Sequence, residues 1–353
     1  MRLLIVTQKV DKKDPILGFF HRWIEEFAKN FEKVTVVCLE KGEYNLPTNV
    51  KVLSLGKPYF AEASQGAGRI IFSRIIYISN FYKYIWQERK NYDAVFVHMN
   101  QEYVLLGWKF WKLWGKKIFL WRNHARGSLW TRIAVSLSDK VFCTSLSSYT
   151  ARFSKTKIMP AGIDTDLYVD NIGEHKRNTI LFFGRVSPVK NVHVFIEALL
   201  ELEKSGADFH ADIIGDTTDN KWYEESLHRR GARLENIGRL AFHPALSHEQ
   251  TSELYKKYSF YVNLTPDGSL DKTILEAMAA RVPVLVLNSA FRGQIHDICR
   301  LTDLDPLSVS EKMGTLLQLG AAERENIGTA LWEYVKREHG LKYLVELLMK
   351  EMA

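Results

Sequence analysis

Short runs of apolar, β-branched residues alternate with segments of helical length along most of the chain. Strands buried on both faces of a parallel sheet are apolar almost throughout, so these runs predict parallel strands with helices between them. The predicted strands of the first half are Leu3–Thr7, Val34–Leu39, Val50–Leu55, Ala94–His98, Lys117–Trp121, Val141–Thr144 and Ile158–Pro160. Those of the second half are Thr179–Phe183, Ala211–Ile214, Phe260–Leu264 and Val284–Leu287. The alternation predicts an α/β protein.

The length of the chain, 353 residues, favours two domains, since one domain holds roughly 150 residues. A polar, turn-rich stretch divides the two sets of strands and is the predicted linker. We predict an amino-terminal domain over residues 1–162, a linker over 163–178 and a carboxy-terminal domain over 179–335. The remaining residues, 336–353, read as a helix that crosses back to the first domain.

The net charge of +7 is unevenly distributed. Residues 1–164 hold 26 Lys and Arg against 13 Asp and Glu, a net charge of +13, and the remainder carries −6. A basic half attracts nucleic acid, anionic lipid or phosphorylated substrates through the same long-range field, so the sign does not choose among them. No nucleic-acid recognition motif accompanies the charge, and nucleic acid is not an expected partner.

The three cysteines, Cys38, Cys143 and Cys299, are far apart and odd in number, which predicts neither a disulfide framework nor a metal site. The apolar run at the amino terminus is too short for a signal peptide, and no run of about 18 uncharged apolar residues follows. We therefore expect a cytoplasmic protein without a membrane span.

Two segments of the first half mix aromatic and basic residues, Arg69–Tyr92 and Trp108–Lys117. Trp and Tyr among Lys and Arg suit a bilayer interface, where an apolar body and a polar rim are both satisfied. Helices that pack on a sheet need many of the same residues. We expect the inward half of each helix to pack in the core and the outer half to contact an anionic membrane peripherally, at its inner face.

The first candidate site follows the strand Thr179–Phe183. Gly184, Arg185 and Lys190 lie between that strand and a predicted helix over Val192–Lys204. Two cations beside a helix amino terminus suit a diphosphate, because helix-end amides and the positive charges all attract phosphate oxygens. The alternative is a solvated basic loop.

The second candidate site follows the strand Phe260–Leu264. A Gly/Ser/Pro loop leads into a short helix that carries Glu276, a carboxylate able to accept hydrogen bonds from a ribose diol. The alternative is a solvent-facing glutamate. The candidate ligand-binding residues of this segment are Asp267, Gly268, Ser269, Leu270, Asp271, Lys272, Thr273 and Glu276.

In combination, five motifs resemble the carboxy-terminal domain of glycosyltransferase family 4 over roughly residues 158–290. They are Pro160–Asp164, Gly184-Arg185 with Lys190, Ile213–Asp216, Leu275–Ala279 and Pro283-Val284. The resemblance implies a GT-B fold, in which two Rossmann-like doubly wound domains face an interdomain cleft. It also implies a retaining glycosyltransferase that moves a sugar from a nucleotide-diphosphate-sugar to a glycan or lipid-linked acceptor, in cell-surface polysaccharide or glycolipid synthesis.

The resemblance assigns roles to individual residues. It implies that Arg185 and Lys190 hold the donor diphosphate and act in catalysis, and that Glu276 binds the ribose. Gly184 and Gly215 belong to the same donor site. In the first domain, which binds the acceptor in this family, Gly18 is similar to a glycine near the donor phosphates and His124 to the active-site histidine.

One position departs from the family pattern. The family usually has a glutamate eight residues before the one matched by Glu276, and this chain has Gly268 there. Asp267 or Asp271 could supply the carboxylate, or it could be dispensed with. The alternative function is a catalytically degenerate homologue that binds a sugar nucleotide or recruits a partner.

No metal or cofactor is expected. Asp164-Thr165-Asp166 mimics the Asp-x-Asp motif of metal-dependent transferases, but it lies in the predicted linker, where turn formation explains it. Charge on the leaving diphosphate would instead be offset by Arg185, Lys190 and helix-end amides.

Overall fold

The chain forms two compact units, each built on one parallel sheet. The structure, a computed structural model, describes residues 1–57, 67–168, 178–217, 221–268 and 270–353. The first unit consists of Met1–Gly162 and Leu341–Ala353, and the second of Ile163–Gly340. This architecture confirms the predicted fold class.

The first unit carries a seven-stranded parallel sheet in the order β3-β2-β1-β4-β5-β6-β7. Its elements are β1 (Arg2–Val10), α1 (Phe19–Asn30), β2 (Lys33–Lys41), β3 (Val50–Lys57), α2 (Ala67–Gln87), β4 (Ala94–His98), α3 (Glu102–Leu113), β5 (Lys117–Trp121), α4 (Leu129–Leu137), β6 (Lys140–Cys143) and β7 (Thr156–Ile158). Buried apolar residues cover both faces of the sheet, with α1 on one side and α2, α3 and α4 on the other.

The second unit carries a five-stranded parallel sheet in the order β10-β9-β8-β11-β12. Its elements are β8 (Thr179–Phe183), α5 (Val192–Lys204), β9 (His210–Ile214), α6 (Lys221–Asn236), β10 (Leu240–His243), α7 (His248–Tyr255), β11 (Phe260–Asn263), α8 (Lys272–Ala279), β12 (Val284–Val286), α9 (Pro306–Leu317) and α10 (Ala321–His339). A final helix, α11 (Leu341–Met352), packs against α1 in the first unit.

The segment predicted as a linker begins where the first unit ends. Its described residues, 163–168 and 178, lie in the second unit. Tyr168 is buried there, with its ring 6.2 Å from that of Tyr255. The sequence patterns also missed β10, an edge strand, and placed the last strand of the first sheet two residues too late, at a proline that has no N–H to donate.

Candidate functional site

The strand order of the second unit reverses between β8 and β11. The chain runs from β8 outward to β9 and β10 on one side, and then returns to β11 and β12 on the other. β8 and β11 are neighbours in register, with Ile180 beside Phe260 and Phe182 beside Val262. Ligands of open α/β sheets bind at such switch points, beyond the carboxyl ends of the strands. The two predicted sites follow β8 and β11 and therefore meet at this edge.

A close glycine contact fixes the loop after β8. Gly184 has φ +129° and donates its N–H to the carbonyl of Ile214 at 3.0 Å. Gly215 has φ +151°, and a Cβ added there would lie 2.0 Å from the carbonyl oxygen of Gly184. Only glycine fits this approach. Two residues further along, Val186 donates its N–H to the carbonyl of Asp216 at 3.0 Å, which continues the pairing beyond the strands.

The two basic residues of this loop differ in their surroundings. Arg185 is exposed and, among the described residues, makes no hydrogen bond or ion pair. Lys190 ends a short 3-10 turn and its side chain is only 15% exposed. Asn191 then adopts a left-handed conformation and donates from Nδ2 to the carbonyl of Leu264 at 2.9 Å, which ties this loop to the one after β11.

Asp271 is the point where the second loop meets the first. It forms an ion pair with Lys190 and accepts from Asn263 Nδ2 at 3.0 Å on the same oxygen, Oδ2. Its other oxygen accepts from Thr273 Oγ1 at 3.0 Å and from the Thr273 N–H at 3.4 Å, so Asp271 also caps α8. Burial raises the pKa of Asp271, but Lys190 and these hydrogen bonds outweigh it, and the net pKa is lowered.

Glu276 lies one turn into α8 and is 7% exposed. Tyr255 donates its hydroxyl to Glu276 Oε2 at 3.3 Å. Burial, with Asp271 adding to it, raises the pKa of Glu276, while Lys272 and Tyr255 oppose the rise. Burial lowers the pKa of Lys272 against the attraction of Glu276. Glu276 is thus not the solvent-facing residue of the alternative reading.

The remaining residues of the loop after β11 are occupied differently. Asp267 is exposed and accepts from the N–H and the hydroxyl of Ser289, both at 2.7 Å, and these bonds lower its pKa. Gly268 has φ +156°, with open space where a side chain would lie. Leu270 is half-buried, and Ser269 lies outside the described residues.

The structure brings most of the predicted donor-site residues to one sheet edge. Gly184, Arg185, Lys190, Gly215 and the described part of 267–276 all lie at or beside the carboxyl ends of β8, β9 and β11. Sequence reasoning missed three polar residues beneath them. Tyr261 donates to the carbonyl of Phe183 at 3.1 Å, Asn263 donates to Tyr261 at 2.8 Å, and Tyr255 holds Glu276. In the sequence, Asn263 is a polar residue at the end of an otherwise apolar strand, and this pattern could have indicated that it belongs to the site.

Gly18 and His124 belong to the first unit. Gly18 precedes α1, and its N–H donates to the carbonyl of Asp14 at 3.0 Å. His124 is exposed after β5, and its Nδ1 accepts from the Arg126 N–H at 3.0 Å.

A different histidine lies at the switch point of the first sheet, between β1 and β4. His98 ends β4, is 1% exposed and stacks on Phe20 with 3.8 Å between ring centroids. Its Nδ1 lies 3.1 Å from Thr7 Oγ1. A histidine at the end of the apolar run Ala94–His98 could have indicated this position from the sequence, but the sequence prediction did not include it.

The described residues contain no group of three or more His, Cys, Asp or Glu side chains arranged to hold a metal ion. In the Asp164-Thr165-Asp166 segment, Asp164 Oδ1 accepts from the Asp166 N–H at 3.2 Å, which is a turn interaction. Within the part of the chain that is described, no helix has the length and apolar character to cross a membrane.

Two doubly wound parallel sheets, with a built switch point in the second, define a protein of the GT-B fold. Residues 166–295 match the family model for glycosyl transferases group 1, which confirms the resemblance over that part of the chain. Among solved structures, Anabaena Alr3699/HepE in complex with UDP and glucose is similar with a TM-score of 0.73 and 17% identity, covering 100% of this chain and 99% of that one.

Two curated relatives are 24% identical to this chain. Spore coat protein SA of Bacillus subtilis matches over 233 residues, 58% of this chain and 59% of the relative. The uncharacterized glycosyltransferase MJ1178 of Methanocaldococcus jannaschii matches over 188 residues, 52% of this chain and 50% of the relative. The matched regions therefore span 59% and 50% of the two relatives' lengths, less than two thirds of each.

Proposed function

We propose that the protein is a glycosyltransferase that takes a sugar from a nucleotide-diphosphate-sugar donor. The observation that carries the proposal is the meeting of two loops at the switch point of the second unit, one with Arg185 and Lys190 and the other with Glu276. The group 1 match covers both loops. HepE, which has the same fold, is described in complex with UDP and glucose.

The residue roles follow from the charges at this edge. Arg185 and Lys190, with the first amides of α5, offset the charge that builds on the leaving diphosphate, and Glu276 accepts from the ribose hydroxyls. We propose that transfer needs neither metal nor cofactor and retains the anomeric configuration, as the family resemblance implies. His124 and Gly18 are proposed for the acceptor and phosphate contacts of the first unit.

A second candidate is a homologue that binds the donor without transferring the sugar. It is favoured by Gly268, which stands where the family usually has a glutamate, and by Asp267, whose two oxygens are held by Ser289. The remaining candidate for that carboxylate, Asp271, is paired with Lys190. Consumption of donor in the presence of acceptor extracts separates this candidate from the enzyme.

The donor assignment predicts stabilisation by nucleoside diphosphates. At a ligand concentration about 100 times the dissociation constant, binding to the folded state stabilises it by about 2.7 kcal/mol. We expect one of UDP, GDP, ADP, CDP and TDP, or its sugar derivative, to raise the melting temperature by about 3 °C or more in a thermal-shift assay. The matched nucleoside, which lacks both phosphates, should raise it far less.

An Arg185→Ala variant serves as the control for that assay. The Arg185 side chain is exposed and makes no hydrogen bond, ion pair or ring contact among the described residues. The melting temperature of the free variant should therefore be unchanged, while its response to the diphosphate shrinks. Equal shifts for nucleoside and nucleoside diphosphate would place recognition on the base and remove the phosphate assignment.

We further propose that the first unit contacts an anionic membrane, which suits a lipid-linked acceptor in polysaccharide or glycolipid synthesis at the cytoplasmic face. Ile75, Trp86 and Leu113 on α2 and α3 are 59%, 52% and 80% exposed. A groove of about 370 Å³ between the two helices is lined largely by aromatic side chains, together with Lys83. Exposed apolar residues beside cations, in a half of the chain that carries +13, favour an anionic lipid surface.

We expect the double variant Lys83→Gln/Lys109→Gln to bind anionic vesicles roughly 30-fold less tightly, since each of the two surface cations contributes about 1 kcal/mol. Both side chains are exposed and neither has an ion-pair partner among the described residues, so the fold should be unaffected. Co-sedimentation with vesicles of graded phosphatidylserine content measures the change, and wild-type binding should weaken with added salt.

The double variant Lys221→Gln/Lys350→Gln removes the same charge elsewhere. Lys221 lies in the second unit, and Lys350 lies on α11, which packs on the sheet face opposite α2 and α3. Equal losses in both double variants would reduce the membrane contact to a net-charge effect, and wild-type protein that stays in the supernatant at low salt would eliminate it.

A further inference from the structure

We propose that Asp271 is a built-in competitor of the donor diphosphate, whose carboxylate occupies the anion-binding groups of the site and so sets the affinity for nucleoside diphosphates. This inference rests on the proposed function. Asp271 thereby has a role distinct from sugar recognition. Its carboxylate oxygens already bind the groups that would otherwise bind phosphate oxygens.

Four donors converge on the Asp271 carboxylate. Oδ2 meets the Lys190 ammonium and Asn263 Nδ2, and Oδ1 meets the hydroxyl and the N–H of Thr273. A cation, an amide, a hydroxyl and a helix-end N–H are the groups that bind a phosphate oxygen in proteins. In the absence of a nucleotide-sugar, the Asp271 carboxylate thus occupies a set of hydrogen-bond donors that could also bind a phosphate group.

The burial of the pair makes this competition strong. The side chains of Lys190 and Asp271 are each 15% exposed, so water and salt screen their attraction less than they screen a surface pair. Among the described residues, Asp271 is also the one carboxylate paired with Lys190. Arg185, in contrast, is exposed and has no such partner in the described chain. The donor diphosphate can therefore bind Arg185 directly, whereas the charge of Lys190 is already neutralised by Asp271.

The position of Asp271 explains why the competitor is stable when no donor is bound. Its carboxylate caps α8, and Asn263 is fixed in turn by a hydrogen bond to Tyr261 at 2.8 Å. A diphosphate must draw Lys190 away from a preorganised partner, which lowers the net gain from the new contact. The same feature favours release of the nucleoside diphosphate product.

The test removes the charge and keeps the cap. Asn and Ser both cap helices well, so Asp271→Asn and Asp271→Ser preserve α8 while freeing Lys190. We expect about tenfold tighter binding of the nucleoside diphosphate that wild-type protein binds best among UDP, GDP, ADP, CDP and TDP, measured by calorimetric titration. The donor KM should fall, and product inhibition should become stronger by a similar factor.

A double-mutant cycle separates charge competition from a structural effect. In a Lys190→Ala background, Asp271→Asn should give no gain, because the cation under competition is absent. Asp305→Asn is the matched control. It removes the same charge from the N-cap of α9, where Asp305 accepts from the Ser308 N–H at 3.2 Å and pairs with no lysine in the described chain, so nucleotide affinity should stay constant.

The outcomes distinguish this inference from the proposed function. If wild-type protein binds a nucleoside diphosphate but both neutral variants bind it equally or more weakly, Asp271 is a cap alone and the inference is wrong. A gain that persists without Lys190 also overturns it. If neither the wild-type protein nor the two neutral variants bind any of UDP, GDP, ADP, CDP and TDP, the proposed function fails and the inference fails with it.

Discussion

Arg185→Ala is expected to lower kcat/KM for the donor by about 100-fold or more, the effect typical of removing one preorganised stabiliser of transition-state charge. The side chain is exposed and, within the described chain, makes no hydrogen bond or ion pair, so the loss should not come from unfolding. Donor turnover measured at saturating acceptor, together with a urea unfolding curve, separates the two effects. A lower kcat with little change in KM would place the contact in the transition state.

Arg229→Ala is the matched control for that prediction. Arg229 is an exposed arginine on α6, without a partner among the described residues. It lies outside both loops of the site, and its replacement should leave turnover unchanged. Lys190→Ala should also reduce turnover, with an additional loss of stability because it leaves the Asp271 carboxylate buried without its cation. Unchanged kinetics in Arg185→Ala would remove Arg185 from the site.

Gly215→Ala is expected to destabilise the protein by about 3 kcal/mol or more, through backbone strain and overlap together. A β-carbon at this position would lie 2.0 Å from the carbonyl oxygen and 2.8 Å from the carbonyl carbon of Gly184. The overlap is with backbone and not with the flexible end of a side chain, so β8 and β9 must separate locally. The free energy of unfolding in urea measures the loss.

Gly268→Ala is the control that measures the cost of backbone strain without steric overlap. Gly268 has φ +156°, close to the +151° of Gly215, but nothing lies within 4 Å of an added β-carbon there. Its replacement should therefore lose stability through backbone conformation alone, about 1 kcal/mol. Similar losses at the two positions would mean that the approach of Gly215 to Gly184 contributes nothing to the fold.

The sequence predicted the fold through the strands that are buried on both faces. β4 and β8 were placed with the bounds that the structure shows, because each is a continuous apolar run between polar segments. β10 was missed because an edge strand is only partly buried, and the burial of Leu240–His243 falls off after its first residue. Patterns of this kind detect the centre of a parallel sheet better than its edges.

The sequence predicted which residues belong to the site, but not the hydrogen bonds and ion pairs that connect them. Spacing after β8 and β11 identified Arg185, Lys190 and Glu276, since loops at the carboxyl ends of parallel strands bind ligands. The pairing of Lys190 with Asp271 joins residues 81 positions apart, and no local pattern specifies it. Tyr255 was missed for the same reason, because its contact with Glu276 depends on how α7 packs against α8.

The first unit is completed only by the last helix of the chain. α11 contributes Leu341, Leu344, Val345, Leu348 and Met352 to the same buried cluster as Trp23, and Gly162 lies against Leu344 and Trp23 at the point where the first unit is interrupted. The second unit, residues 163–340, is thus one continuous segment of the chain, inserted between the two segments that form the first unit. Chimeras between relatives should exchange residues 163–340 as one piece, because a single crossover near residue 162 would give the first unit a foreign closing helix.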